Sequence, residues 1–276
     1  MNTRKIGLRA HDFDRGDFVH FEKTIRKIAS IGYDSIQLAP AKCLTEIENL
    51  AALNETHIHK INEILQKNQI QVSVLGCYVN FTAAKESERR EAIDLFKKYI
   101  EFASLLDARM VASETTYGTI IDEDERKRCM IYVTEAMKEI TELAESRAVM
   151  VAIEPVAGHA LNTPELTRSL LDEVACKNLK VLYDPVNLLT PDTAALQNEM
   201  FDRAKQYFGS DIIAMHLKDF IVKNGEKQMT ALGEGVMNFR EILPWIKETL
   251  PEIPLVREDV ILEKVSQDLD FINDRC

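Results

Sequence analysis

Short apolar runs alternate with longer amphipathic stretches eight times along this chain, and few folds accept that rhythm. The runs lie around Ile6–Arg9, Ser35–Leu38, Val72–Leu75, Arg109–Ala112, Val149–Ile153, Lys180–Tyr183, Ile212–His216 and Pro254–Val256. Most are rich in Val, Ile, Leu or Met, as strands covered on both faces require. Between them apolar residues recur at helical spacing. Phe21, Ile25, Ile28 and Ala29 form one stripe, with Gly32 behind it as a C-terminal cap. Ile93, Phe96, Ile100 and Ala103 form another, closed by Leu106, and Met130, Val133, Met137, Ile140 and Ala144 a third. Thr163-Pro164 reads as an N-cap followed by a first-turn proline. Asp122 and Thr193 are further N-cap candidates. Pro244 predicts a kink or shortening in the helix before the eighth strand, because proline removes a backbone donor.

Eight strand–helix alternations specify either a closed barrel or an open doubly wound sheet. The dinucleotide fingerprint G-x-G-x-x-G does not follow the first strand. A length of 276 residues matches one closed α/β barrel. No linker, low-complexity tract or repeated block divides the chain, so one domain over residues 1–276 is expected.

Apolar residues at 46% suffice for a large core, and a formal net charge of −11 disfavours phosphate backbones and anionic lipid. Neither nucleic acid nor a membrane is therefore expected as a partner. The five cysteines (Cys43, Cys77, Cys129, Cys176 and Cys276) are scattered, with no C-x-x-C pair. That pattern points to free thiols in a reducing compartment. The opening MNTRKIGLRAHDF has no apolar leader core, and no run approaches a membrane span. A cytoplasmic location is expected.

Barrel enzymes work at the C-terminal ends of their strands. The last four strands each end in a metal-type ligand. VMVAIEP ends in Glu154, KVLYDP in Asp184, IIAMHLKD carries His216, and PLVRED ends in Glu258 or Asp259. Taken singly, each has an ordinary explanation. Glu154 is a cap or ion-pair partner, Asp184 starts a turn, His216 is a satisfied core histidine, and Glu258 pairs with Arg257 or Lys264. Their equivalent placement on successive strands makes four separate ordinary explanations a poor account. Charges on strands buried on both faces need a partner or a metal. Three carboxylates and an imidazole suit one divalent ion, with manganese expected and magnesium, cobalt or zinc as the other candidates.

The segments IEP (153–155), YDPVN (183–187), HLKD (216–219), GEGVMNF (233–239) and RED (257–259) give the chain a resemblance to a known family. Over nearly its whole length it is similar to the xylose isomerase-like barrel superfamily, often called sugar phosphate isomerases/epimerases. The resemblance implies a (β/α)₈ barrel whose metal is held by Glu154, Asp184, His216 and Glu258. It also implies that Glu154 and Glu258 form the acid/base pair. Several family members have His three residues after the strand-six Asp, where this chain has Asn187. Asn can bind a hydroxyl but cannot take a proton.

The expected activity is that of a divalent-metal-dependent sugar (or sugar phosphate) isomerase or epimerase, moving a proton next to a carbonyl through a metal-stabilised enediolate. Lys218, two residues after His216 and so on the same side of the strand, is a candidate substrate contact, as are His159, Asn187 and His11. Glu114 and Tyr117 are expected near the mouth, and His57 and His59 on a helix surface. The expected partner is a small carbohydrate, with a homo-oligomer open. The family also holds dehydratases and lyases, so a metal-dependent lyase or dehydratase on a ketosugar, inositol or related polyol is the alternative. A nuclease of the abasic-site endonuclease type would need many histidines, and the chain has six. A non-catalytic barrel would not be expected to keep all four ligand-type residues.

Overall fold

The computed structural model describes residues 4–276, so the first three residues of the opening segment in which no leader is expected lie outside it. The strands, in chain order, are β1 (Ile6–Arg9), β2 (Ser35–Leu38), β3 (Gln71–Gly76), β4 (Met110–Ser113), β5 (Met150–Ile153), β6 (Leu179–Tyr183), β7 (Ile212–Leu217), β8 (Asp219–Lys223), β9 (Glu226–Thr230) and β10 (Leu255–Arg257). β1 to β7 and β10 close a parallel barrel, with β10 hydrogen-bonded to both β7 and β1. All eight lie within one residue of the ranges expected from the apolar runs. Closure resolves the choice between a barrel and an open sheet.

The helices α1 (Phe18–Ile31), α2 (Pro40–Cys43), α3 (Glu55–Lys67), α4 (Glu86–Leu105), α5 (Glu123–Arg147), α6 (Pro164–Val174), α7 (Gln197–Phe208), α8 (Phe239–Thr249) and α9 (Val265–Arg275) complete the described elements. Asp17 caps α1 through the amide of His20, and Gly32 ends it at a left-handed φ of 113°. Ile25 and Ile28 on its inner face are fully buried. Burying such a side chain contributes about 1.5–3 kcal/mol. Asp122 caps α5 and Thr163 caps α6, as expected. Thr190, not Thr193, caps the 3₁₀ turn at 191–196. Thr193 answers it from the third position, completing a reciprocal capping box. Pro244 sits inside α8, which runs on to Thr249. His20 lies on α1, and His57 and His59 on α3.

Strand alternation decides what faces the barrel axis. Val74, Met110, Ala112, Ala152, Leu182, Ala214 and Val256 form an inner cluster of their own. Their neighbours Val151, Ile153, Val181, Tyr183, Met215, Leu217 and Leu255 join the larger core under the helices. One step of two from Ala152, Leu182, Ala214 and Val256 leads to Glu154, Asp184, His216 and Glu258. The same parity sends Arg257 outward. It is 0% exposed, and its Nε donates to Asp268 Oδ2 on α9 at 2.6 Å. Its other nitrogens donate to the carbonyls of Glu258, Leu217 and Thr230. Asp268 Oδ1 accepts from the amide of Leu232 at 2.7 Å.

The antiparallel β8–β9 hairpin was not among the expected strands. Its apolar run is only Phe220–Val222, close behind β7, and β9 is mostly polar, so the apolar-run criterion passes over it. Its turn, Asn224-Gly225, has positive φ at both residues (54° and 79°), the arrangement that Asn-Gly favours in tight hairpins. Asp219, immediately after Lys218, anchors the segment that follows. Its Oδ2 accepts from the amides of Gly233 and Gly235, each at 2.9 Å, and its Oδ1 from Met237 at 3.0 Å. Gly235 is needed for this approach, because a Cβ there would overlap Asp219 Oδ1 and the carbonyl of Phe220.

Candidate metal centre

Glu154, Asp184, His216 and Glu258 converge at the C-terminal mouth of the barrel, all buried, each offering a ligand atom within 4.8 Å of the others. His216 Nδ1 lies 3.1 Å from Glu258 Oε2, 3.5 Å from Asp184 Oδ2 and 3.5 Å from Glu154 Oε1. Atoms each about 2.1 Å from one shared ion stand roughly 3–4 Å apart, so the spacing fits a single small dication.

Hydrogen bonding aims these atoms at a common centre. Asp184 Oδ1 accepts the amides of Val186 and Asn187 at 2.8 and 3.0 Å, which leaves Oδ2 free. Glu154 Oε1 accepts from Asn187 Nδ2 at 2.6 Å. His216 Nε2 meets Gln37 Oε1 at 2.6 Å. Gln37 Oε1 can only accept, so Nε2 carries the hydrogen and the lone pair of neutral His216 lies on Nδ1. His216 Nδ1, Asp184 Oδ2 and Glu258 Oε2 are buried and make no hydrogen bond, and the two carboxylate oxygens have the ammonium of Lys218 beside them. A lone pair facing three carboxylates needs either a proton or a cation. The donors therefore fit a divalent ion.

The protein's own charges respond as this predicts. Burial works against a charged His216, but Glu258 and Glu154 outweigh it and hold its pKa well above the usual range. Burial likewise opposes ionisation of Glu258, yet His216, Lys218 and Arg9 hold its carboxyl well below the ordinary value. Lys218 is 6% exposed. Its Nζ lies 2.7 Å from Glu258 Oε2, 3.2 Å from Asp184 Oδ2 and 3.3 Å from Asp259 Oδ2, and donates to Asn187 Oδ1 at 3.2 Å. Arg9, from the end of β1, pairs with Glu258, with Asp259 at 2.6 Å and with Asp12.

The ordinary pairings suggested for Glu258 are not the ones formed. Arg257 binds Asp268, and Lys264 binds Glu234. Asp259, at a left-handed φ of 55°, pairs with Arg9 and Lys218, and Glu258 is the acid that joins the cluster.

The other candidates occupy a rim. His159 Nδ1 is 3.6 Å from Glu114 Oε2. Burial, then the negative charges of Glu154 and Glu258, push the Glu114 carboxyl up to about 7. His11 stands edge-on to Tyr78, with ring centroids 6.1 Å apart. Burial, with Arg9 and Lys42 nearby, lowers its pKa to about 3. Tyr117 donates from its hydroxyl to the carbonyl of Tyr78 at 2.6 Å. Arg9 and Gln37 are the site residues that sequence reasoning missed. Both are polar residues at or near a strand end, on β1 and β2. Their signal is the one that marks the cluster itself, polarity at the end of a buried strand, here on the first two strands and not the last four.

Solved structures with the same architecture include a D-tagatose 3-epimerase-like protein (TM-score 0.75, 19% identity, 98% of each chain covered). A second is the IOLI protein with a bound zinc atom (TM-score 0.74, 16% identity, 99% of each chain). A third is a 3-keto-D-glucoside 4-epimerase from E. coli (TM-score 0.78, 13% identity, 99% of this chain and all of that one). At these identities the likeness is one of fold. None of the curated proteins matches the chain in sequence. The sequence profile described as xylose isomerase-like TIM barrel matches residues 25–273, and the chain belongs to that family.

Proposed function

We propose that this chain is a divalent-metal-dependent sugar or sugar phosphate isomerase or epimerase that transfers a proton at a carbon next to a carbonyl. The observation that carries the reading is the inward-facing lone pair of His216, buried and without a hydrogen bond among the carboxylates of Glu154, Asp184 and Glu258. Structural neighbours that are epimerases, one neighbour holding zinc, and family membership support it. Manganese suits three carboxylates and one imidazole, and zinc takes the same donors.

A divalent ion, when bound, supplies Lewis-acid stabilisation of the negative charge that grows on a carbonyl oxygen as the neighbouring C–H proton leaves. The chain's own residues do the rest. Glu154 follows β5 and Glu258 follows β10, three strands apart around the barrel, so they approach the substrate space from different sides. In epimerisation one carboxylate takes the proton and the other returns one to the opposite face. Asn187 orients Glu154, while Arg9 and Lys218 orient Glu258 and keep it ionised, ready to accept a proton. In this reading Lys218 and Asn187 meet substrate hydroxyls, and His159 and His11 stand at the edge of the sugar.

Incubating the Mn²⁺-loaded protein with a panel of ketoses and ketosugar derivatives in D₂O tests the reading. Deuterium is expected at a carbon next to the carbonyl, and chelation should stop its entry. Absence of exchange across the panel would sink it.

Gln37→Leu is expected to weaken metal binding about 10–100-fold, the usual cost of losing a hydrogen bond that orients a ligating histidine. Titration calorimetry with Mn²⁺ reads this directly, with far-UV circular dichroism checking the fold. Native affinity in the variant would show that Gln37 does not hold His216 for the ion.

A further inference from the structure

Outside the barrel mouth, on the side of β2 to β4, the surface opens into a groove of about 650 Å³. That volume falls within the range of small-molecule sites. Its apolar walls come from Ala41, Leu50 and Ala51 in the chain after β2, Leu95 on α4, and the rings of Tyr78 and Tyr117. Tyr117 is 61% exposed, an unusual cost for a large ring with no cover.

The groove is tied to the candidate metal centre through Tyr78. That residue lines the groove, and its hydroxyl accepts from Gln37 Nε2, while Gln37 Oε1 holds His216. A sugar at the metal centre would therefore carry any substituent on this side towards Tyr78 and Tyr117.

The lining also selects the chemistry of that substituent. A phosphate calls for an arginine fork or a cluster of free backbone amides. Among the described residues the only cation lining the groove is Lys42, whose Nζ already sits over the Tyr78 ring at 4.1 Å from its centroid. Burial, followed by the nearby charge of Arg9, lowers its pKa. Glu91 on the opposite wall repels an anion. The exposed Tyr117 ring, the rest of Tyr78 and the aliphatic wall of Ala41, Leu50, Ala51 and Leu95 favour an aromatic or alkyl group.

We propose that this groove is a subsite for an apolar aglycone, so that the substrate is a sugar carrying an aryl or alkyl substituent instead of a phosphate. The proposal rests on the reading of the mouth as a sugar site. It is tested with inert probes that need no turnover. Phenyl β-D-glucopyranoside, methyl β-D-glucopyranoside and glucose 6-phosphate are titrated into the Mn²⁺-loaded protein and followed by calorimetry and saturation-transfer NMR.

The phenyl glycoside is expected to bind about tenfold or more tightly than the methyl glycoside, the scale of burying one ring. The ring protons should receive the strongest saturation. Ala51→Glu, at an exposed position, should shrink that preference to about twofold or less while leaving methyl glycoside affinity unchanged. Leu50→Asp provides a second variant with the same expectation. Equal affinity for the two glycosides, a preference untouched by both variants, or tightest binding of the phosphate would each overturn the subsite. A phenyl preference without any deuterium exchange would keep the subsite and remove the proposed reaction. Exchange without a phenyl preference would do the reverse.

Discussion

Glu154→Gln and Glu258→Gln are each expected to lower conversion between epimers by about 10²–10⁴-fold, the usual contribution of a positioned acid or base. Glutamine keeps the shape and one ligating oxygen but cannot accept the proton. The two variants should not behave alike. Glu154 is oriented by one neutral amide, from Asn187, whereas Glu258 balances Arg9 and Lys218. Neutralising Glu258 therefore takes a counter-charge from buried Lys218 and half-buried Arg9 as well as removing the proposed base. Its loss should weaken metal binding and thermal stability along with conversion. If epimerisation uses the two carboxylates on opposite faces, Glu154→Gln should still admit deuterium from one epimer while failing to convert it to the other. Measurements at saturating Mn²⁺, with circular dichroism as a fold check, separate chemistry from affinity. Near-native turnover in either variant would remove that carboxylate from proton transfer.

Asp268→Ala should destabilise the protein by about 3–5 kcal/mol, because it leaves a fully buried guanidinium unpaired. Arg257 and Asp268 are both 0% exposed, and Asp268 also receives the amide of Leu232. The damage should reach the mouth. Arg257 donates to the carbonyl of Glu258 and joins β10 to the end of β9 through Thr230. Urea unfolding gives the stability change. A loss below about 1 kcal/mol, typical of an exposed pair, would show that water reaches Arg257. Asp268→Asn keeps an acceptor for Arg257 and should lose less.

The barrel was legible because a parallel strand covered on both faces must be apolar throughout, and such runs stand out between amphipathic helices. The candidate cluster was legible for the opposite reason: charge at the ends of those same runs has little alternative use. What escaped was local or distant. The β8–β9 hairpin offers only the short run Phe220–Val222 beside a mostly polar β9, and Asn224-Gly225 announces its turn. Gln37 and Arg9 act on His216 and Glu258 from strands far away in sequence, so no spacing connects them. The Arg257–Asp268 tie was equally hidden. Adjacent charges in RED suggested a surface pairing, and only the parity of β10, turning Arg257 towards α9, separates it from Glu258. Thr193 was misplaced by one partner because a reciprocal cap contains two residues of the same type.

The carboxylate of Asp219 has a consequence for how substrates enter. All of its recorded partners are main-chain amides, and four residues between 220 and 237 hang from it. The hairpin and the turn behind it are thus riveted to the strand that bears His216 and Lys218. Such a segment is expected to keep one position beside the mouth. On the proposed reading it is a fixed kerb, and a molecule with the wrong outline on that flank should be refused instead of being accommodated.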